Sequence, residues 1–128
     1  MIERSELEGV IDLSELYEDN MRMLVKERSG GVSEVTGRLA DKMELHHILG
    51  RNKPRGFKYL DDIIQAWWPH VPPGCIFLTV AEHTHAGRNS KMMKPRLLGW
   101  LLLYHGDRIW EGKSYREWLN EPPFKEWL

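Results

Sequence analysis

The sequence contains a single cysteine, Cys75, so no disulfide can form within the chain. It also lacks any run of about 18 apolar residues, the length that a membrane-spanning helix needs. The first residues are acidic and no apolar stretch follows them, so we expect no secretory signal peptide. Together these absences predict a soluble protein with no membrane partner, in the reducing cytoplasm.

The chain does have enough residues for one folded domain. Because it has 128 residues, 41% of them hydrophobic, and six tryptophans, we expect a single domain over residues 1–128. The net charge is −1, but residues 1–20 are strongly acidic and contain one basic residue, Arg4. The rest of the chain is therefore mildly basic, which permits binding of a polyanion without demanding it.

Apolar spacing and turn residues predict an alternation of helices and short strands. Steps of three and four residues favour an amphipathic helix from Ser5 to about Lys26, and residues 32–38 favour a short strand or knuckle. Strands are expected at Lys42–Leu49 and Cys75–Leu78, with a short helix at Leu60–Trp68 between them.

Two capping boxes predict where later helices begin, because each pairs a hydroxyl with a carboxylate three residues on: Thr79 with Glu82, and Ser114 with Glu117. The first predicts a short helix that carries His83 near its start and ends near Gly87. The second begins the last helix, which ends by Pro122. An apolar helix over residues 97–104, closed by Gly106, is expected between them.

Adjacent histidines end the first predicted strand. Side chains alternate along a strand, so the rings of His46 and His47 point to opposite faces and cannot both bind one ion. Their roles should therefore differ: one imidazole can bind a metal, and the other can take a proton from water near neutral pH. His83, at the start of a following helix, could reach the same ion, and we expect the three imidazoles to converge at one small pocket.

Over about residues 33–89 the chain resembles the HNH endonuclease family. The matching segments are EVTGR at 34–38, ELHHILGR at 44–51 and IFLTVAEH at 76–83. The resemblance implies an α+β fold with a ββα-metal core at residues 33–89. An N-terminal acidic helix (1–30) and C-terminal helices (90–128) would flank this core.

The resemblance also implies the chemistry. His46 and His83 would bind one divalent metal ion (Mg, Mn, Ni or Zn), and His47 would be the general base that activates water for hydrolysis of DNA, or of RNA. His85 would be a metal ligand only if its helix ends early. Nucleic-acid contacts are expected from the basic residues near these positions: Arg51, Lys53, Arg55 and Arg88.

The sequence departs from the family at two informative positions. Gly74 stands where the family has its central Asn, so Asn52 or a backbone group would have to support the loop around the base. Gly87 stands where some relatives have a further histidine ligand. A cysteine-based structural zinc site is excluded, since one thiol cannot build it.

Two other interpretations stay open. One is a module of the same fold that binds nucleic acid or protein without turnover. The other is a protein-interaction domain whose acidic N-terminal helix binds a basic partner and whose histidines are structural. Outside the motif, we expect His70 to be a loop residue, His105 to end a helix, and the tryptophans to be packing residues, with Trp67 or Trp68 able to stack on a base if exposed.

Overall fold

A computed structural model describes residues 13–128, and this part of the chain is α+β. Its helices are α1 (Leu13–Ser29), α2 (Asp62–Trp67), α3 (Val80–Arg88), α4 (Ser90–His105) and α5 (Tyr115–Leu119). Its strands are β1 (Met43–His47), β2 (Cys75–Thr79), β3 (Ile109–Trp110) and β4 (Lys113–Ser114). Short 3₁₀ turns lie at Phe57–Tyr59, Pro72–Gly74 and Phe124–Trp127. Within residues 13–128, no helix combines the length and apolarity needed to cross a bilayer. The predicted beginning of the first helix, from Ser5, lies outside the described residues.

Strands β1 and β2 form an antiparallel pair, and α3 follows β2 without a connecting loop. In the register of this pair, His46 lies opposite Ile76 and His47 lies opposite Cys75. Because Thr79, the residue before α3, lies opposite Met43, α3 begins at the other end of β1 from the adjacent histidines.

The β1–β2 pair lies between two layers of helix. On one face, Leu45 and Phe77 pack against Met21 and Val25 of α1. On the other face, Ile76 and Leu78 join a larger core with α4 and α5, whose buried members include Leu97, Leu98, Leu101, Trp118 and Leu119. Because side chains alternate along a strand, each strand contributes to both cores.

Both predicted capping boxes are confirmed. The Thr79 hydroxyl accepts a hydrogen bond from the Glu82 N–H at 3.3 Å, and the Glu82 carboxylate accepts one from the Thr79 N–H at 2.9 Å. The same reciprocal bonds join Ser114 and Glu117 at the start of α5. These bonds satisfy N–H groups that have no partner inside a helix, so they fix where α3 and α5 begin.

Residues 32–38 form a hydrogen-bonded turn. Of the two predicted alternatives, a short strand and a knuckle, the structure therefore supports the knuckle. The Gly37 N–H donates to the Ser33 carbonyl at 2.9 Å, and the Ser33 N–H donates to the Arg38 carbonyl at 2.9 Å. Gly37 has a φ of 73°, a left-handed conformation that glycine adopts without strain.

Other boundaries shift for local reasons. The predicted helix over 60–68 begins later because the Asp61 side chain caps it, accepting from the Ile63 N–H at 2.9 Å. The apolar helix predicted over 97–104 extends back to Ser90. The β3–β4 hairpin was not predicted, because each of its strands is only two residues long and shows no alternation of apolar and polar residues.

A buried ion pair joins the two layers. Arg28 of α1 makes two hydrogen bonds to the Glu34 carboxylate, at 2.8 and 2.6 Å, and both residues are 8% exposed. The same guanidinium donates to the carbonyls of Pro72 and Cys75 and to the Tyr115 hydroxyl. This arrangement ties α1, the 33–38 turn, β2 and α5 together.

Candidate metal and catalytic site

His46 and His83 lie against each other on the face of the β1–β2 pair that α3 covers. Their ring centroids are 4.9 Å apart, with the ring planes at 65°. His46 is on this face by strand alternation, and His83 is there because the capping box places it in the first turns of α3. Two imidazoles from separate elements therefore meet at one place, as the sequence predicts.

Glu44 extends this pair. It lies two residues before His46 and so on the same face of β1, where its carboxylate contacts Nδ1 of His83. A carboxylate that holds one ring nitrogen of a histidine leaves the other nitrogen, here Nε2, for a metal ion. Sequence reasoning did not single out Glu44, although its spacing from His46 in a strand was a signal that could have done so.

Burial sets the protonation of His46. The residue is 8% exposed, and this burial, together with the nearby charges of His83 and Lys94, lowers the pKa of His46 to about 4. The ring is therefore neutral at pH 7 and has a lone pair to offer. Lys94 of α4 was not among the predicted cations, yet it is the basic residue whose charge acts on this ring.

The donor types at the His46–His83 pair suit a divalent ion. Among residues 13–128, no group of three or more His, Cys, Asp or Glu side chains is positioned to hold a metal. Two imidazoles, with a carboxylate behind one of them, are nevertheless donors that Zn, Ni and Mn accept. Such a site would use two protein ligands and leave other coordination positions to water or substrate.

His47 lies on the opposite face of β1, towards α1, and the structure does not bring its ring to the His46–His83 pair. Its Nε2 is 3.0 Å from Nδ1 of His70, and the two ring centroids are 5.1 Å apart. Burial, with the positive charge of Arg51 next in importance, lowers the pKa of His47 to about 3. The ring is neutral at pH 7, as a general base must be, but its affinity for a proton is low.

His70 proves to be more than a loop residue. It lies in the connection between α2 and β2 but is only 1% exposed, and its hydrogen-bonding partner is His47. Burial lowers its pKa as well. The contact spans 23 residues of chain, so no local pattern in the sequence could indicate it.

Gly74, which aligns with the central Asn of the HNH motif, has a backbone group close to His47. The Gly74 carbonyl accepts a hydrogen bond at 3.0 Å from the N–H of Ile48, the residue directly after His47. Asn52, the other predicted substitute, is exposed and uses its backbone carbonyl to accept from the indole N–H of Trp68 at 3.0 Å. Of the two predicted substitutes, the backbone group is the one next to His47.

His85 is not brought to the histidine pair. Helix α3 continues to Arg88, and two residues along a helix correspond to a rotation of about 200°. The ring is exposed and lines an apolar groove with Val35 and Met93. The condition for its being a ligand, an early end of the helix, is not met.

The predicted cations are spread around the hairpin. Arg51 makes a salt bridge to Glu18 of α1 at 3.0 Å, on the His47 side. Lys53 lies over the ring of Phe57, with Nζ 5.0 Å from its centroid. Arg55 and Arg88 are exposed.

Neither tryptophan proposed for base stacking is a free surface ring. Trp67 is stacked on Tyr17 with centroids 5.2 Å apart, and Trp68 is half-buried and bonded to Asn52.

The candidate site therefore consists of one histidine pair on each face of the hairpin, with cations beside both. No protein-family model, curated protein or solved structure matches the chain.

Proposed function

We propose that this chain is a metal-dependent endonuclease with a ββα-metal core of the HNH type, which hydrolyses phosphodiester bonds of DNA. The observation that supports it is the contact between His46 of β1 and His83 of α3, with Glu44 behind His83. In this proposal the β1–β2 pair and α3 are the core, and α1, α4 and α5 support it.

His46 and His83 would hold one divalent ion, and Glu44 would orient the ring of His83. When bound, such an ion stabilises negative charge on the phosphate and on the leaving oxygen. The chain itself contributes a neutral His46 ring and a His83 ring whose Nδ1 is already occupied by the carboxylate.

His47 is the proposed general base. The sheet that carries it has two strands, so both of its faces can be reached around one edge. The Cα atoms of His46 and His47 are neighbours, about 3.8 Å apart. Within the described residues β1 pairs only with β2, so its other edge has no strand beside it. For His47 to act, a phosphodiester would have to lie across that edge and contact both rings, each of which belongs to a residue that is 8% exposed.

The distribution of positive charge agrees with a polyanion in that position. The charge of Lys94 acts on His46, and the charge of Arg51 acts on His47, so a cation lies near each face of the strand. Cations on both sides favour a phosphate backbone held between them.

One observation favours a second candidate, a nucleic-acid binding module that has lost turnover. His47 faces away from His46 and His83, and its Nε2 is bonded to His70. The low proton affinity of His47 would also make it a weak base. The cations near both histidines would still bind DNA or RNA in such a module.

Supercoiled plasmid incubated with the full chain and Mg²⁺, Mn²⁺ or Ni²⁺ separates the two candidates. The endonuclease predicts nicking that His47→Ala lowers by about 10²–10⁴-fold while metal binding is kept. His85→Ala is the matched control, since it removes an exposed histidine outside the site, and it should nick like the wild type. Binding of DNA or RNA without cleavage of either in any of these metals would support the second candidate. A chain that neither binds nor cleaves DNA or RNA would contradict both candidates.

A further inference from the structure

The loop that follows β1 is basic and carries two aromatic rings, those of Phe57 and Tyr59. Residues 50–60 contain no acidic residue, and their four cations are all exposed: Arg51, Lys53, Arg55 and Lys58. Arg51 pairs with Glu18, whereas within residues 13–128 no carboxylate forms an ion pair with the other three. This 51–59 loop therefore presents a cluster of positive charge to solvent.

Hydrogen bonds hold the backbone of the loop on both sides of Tyr59. The side-chain amide of Gln65 in α2 donates to the carbonyls of Lys58 and Leu60, at 3.2 and 2.7 Å. The Tyr59 N–H itself donates to the Gly56 carbonyl at 2.9 Å. A backbone that is already ordered loses little conformational freedom when a partner binds to it.

Tyr59 is 81% exposed, more than any other large hydrophobic side chain that the structure describes. Its ring has a cation beside it, because Nζ of Lys58 lies 5.0 Å from the ring centroid. A single exposed tyrosine needs no explanation. An exposed ring accompanied by cations on an anchored loop is different, since proteins bind unpaired nucleic acid with these two elements: cations along the phosphates and aromatic rings on which bases stack.

A groove beside the loop suits the base side of such a strand. It has a volume of about 440 Å³ and is lined by Lys53, Phe57, Asp62, Gln65, Ala66 and Trp68. The Asp62 carboxylate repels a phosphate but can accept hydrogen bonds from the amino groups of a base. In a duplex those groups are engaged with the paired base, so the groove favours a base without a partner.

We propose that the 51–59 loop binds an unpaired strand of DNA, with a base stacked on Tyr59 and phosphates held by Lys53, Arg55 and Lys58. The inference names the substrate class of the endonuclease proposed above and rests on DNA being the partner in that proposal. It assigns to Tyr59 the stacking role that the sequence suggested for Trp67 or Trp68. Because the loop follows β1 closely, a strand held on it would lead to the end of β1 that carries the histidines.

Fluorescence anisotropy with a labelled oligothymidine of about 12 nucleotides tests the stacking contact. No metal is added, so binding is measured without cleavage. Tyr59→Leu should weaken binding by at least about 5-fold, since the base loses its ring, while Tyr59→Phe keeps the ring and should bind like the wild type. Tyr104→Leu is the matched control, because it replaces a tyrosine that is 63% exposed and lies in α4, outside the loop.

Two further probes separate stacking from charge. An abasic strand of the same length has the phosphates without the bases, and a duplex has its bases paired, so Tyr59→Leu should bind both like the wild type. Lys53→Ala and Lys58→Ala should each lower the slope of log affinity against log salt for the oligothymidine by about 0.7, the value for one phosphate of a single strand. Lys26→Ala, an exposed cation of α1, should leave this slope unchanged.

Equal affinity of Tyr59→Leu and the wild type for the oligothymidine would overturn the inference, and so would an equal loss with the abasic strand or the duplex. Tighter binding of an oligouridine than of the oligothymidine would overturn the choice of DNA. Plasmid nicking distinguishes this failure from that of the proposed function. Nicking without Tyr59-dependent binding of the single strand overturns the inference and leaves the endonuclease, whereas such binding without cleavage in any metal supports the inference and the second candidate.

Discussion

The ring of Phe124 occupies the space next to Gly74 that a side chain would need. A Cβ atom on Gly74 would lie 2.9 Å from Cε1 of Phe124 and 3.2 Å from Cγ2 of Val71. The position at which the HNH family has its Asn is therefore closed by the C-terminal segment. The Gly74 carbonyl accepts a hydrogen bond from the N–H of Ile48, the residue directly after His47.

Gly74→Ala should destabilise the protein by about 1–3 kcal/mol, because the fully buried Phe124 ring would have to shift. Gly99→Ala in α4 is the matched control: nothing lies within 4 Å of the added Cβ, and alanine is the better helix former by about 1 kcal/mol. Urea denaturation measures both. Equal stability of Gly74→Ala and the wild type would contradict the tight packing of Phe124 on Gly74.

Metal affinity should depend on Glu44 although Glu44 is not proposed as a ligand. His46→Ala and His83→Ala remove proposed ligands and should abolish tight Mn²⁺ or Ni²⁺ binding in calorimetry. Glu44→Gln should weaken it by about 10–100-fold, since the His83 ring loses its carboxylate partner. His85→Ala should bind like the wild type, and equal affinity in His46→Ala would rule out the proposed site.

The Arg28–Glu34 pair should matter to stability far more than exposed ion pairs do. Arg28→Met leaves the Glu34 carboxylate buried without its partner and should cost about 3–5 kcal/mol. Arg22→Met removes an exposed pair with Glu18 and should cost less than about 1 kcal/mol. Thermal or urea unfolding of both variants checks this. Similar losses in the two variants would show that burial does not set the energy of this pair.

Stability should fall as the pH drops below about 6.5, the pKa of histidine in the unfolded chain. Burial lowers the pKa of His46 to about 4 and of His47 to about 3, so the unfolded state takes up these protons first. The loss begins near pH 6.5 and continues towards the two folded-state values, at up to about 1.4 kcal/mol per pH unit for each group. Urea unfolding between pH 7.5 and 5 measures it, and His47→Gln should reduce the slope. A flat profile would contradict the burial of neutral rings.

DNA binding should lose salt sensitivity when cations beside the histidines are removed. In the proposed complex Lys94 and Arg51 would each contact one phosphate, so Lys94→Ala and Arg51→Ala should each lower the slope of log affinity against log salt by about 1. Lys26→Ala, an exposed cation in the last turn of α1, is the control and should leave the slope unchanged. Fluorescence anisotropy with a labelled duplex provides the measurement. An unchanged slope for Lys94→Ala would show that the DNA does not contact Lys94.

Much of the local structure could be predicted from the residues. The capping hydroxyl of Thr79 and carboxylate of Glu82 act within one turn of helix, so they indicated the start of α3 and the place of His83. Strand alternation likewise indicated that His46 and His47 would face opposite ways. The meeting of His46 and His83 followed because β2 and α3 are joined without a loop.

By itself, then, the sequence determined the β1–β2 strands, the starts of α3 and α5 and the divergence of the two adjacent histidines, because those depend on hydrogen bonds and side-chain alternation over a few residues. Only the tertiary structure decided that His70 is the partner of His47 and that Phe124 closes the space at Gly74. Those contacts join residues 23 and 50 positions apart, and which residues meet over such distances depends on how the α1 layer and the α4–α5 layer pack on the hairpin.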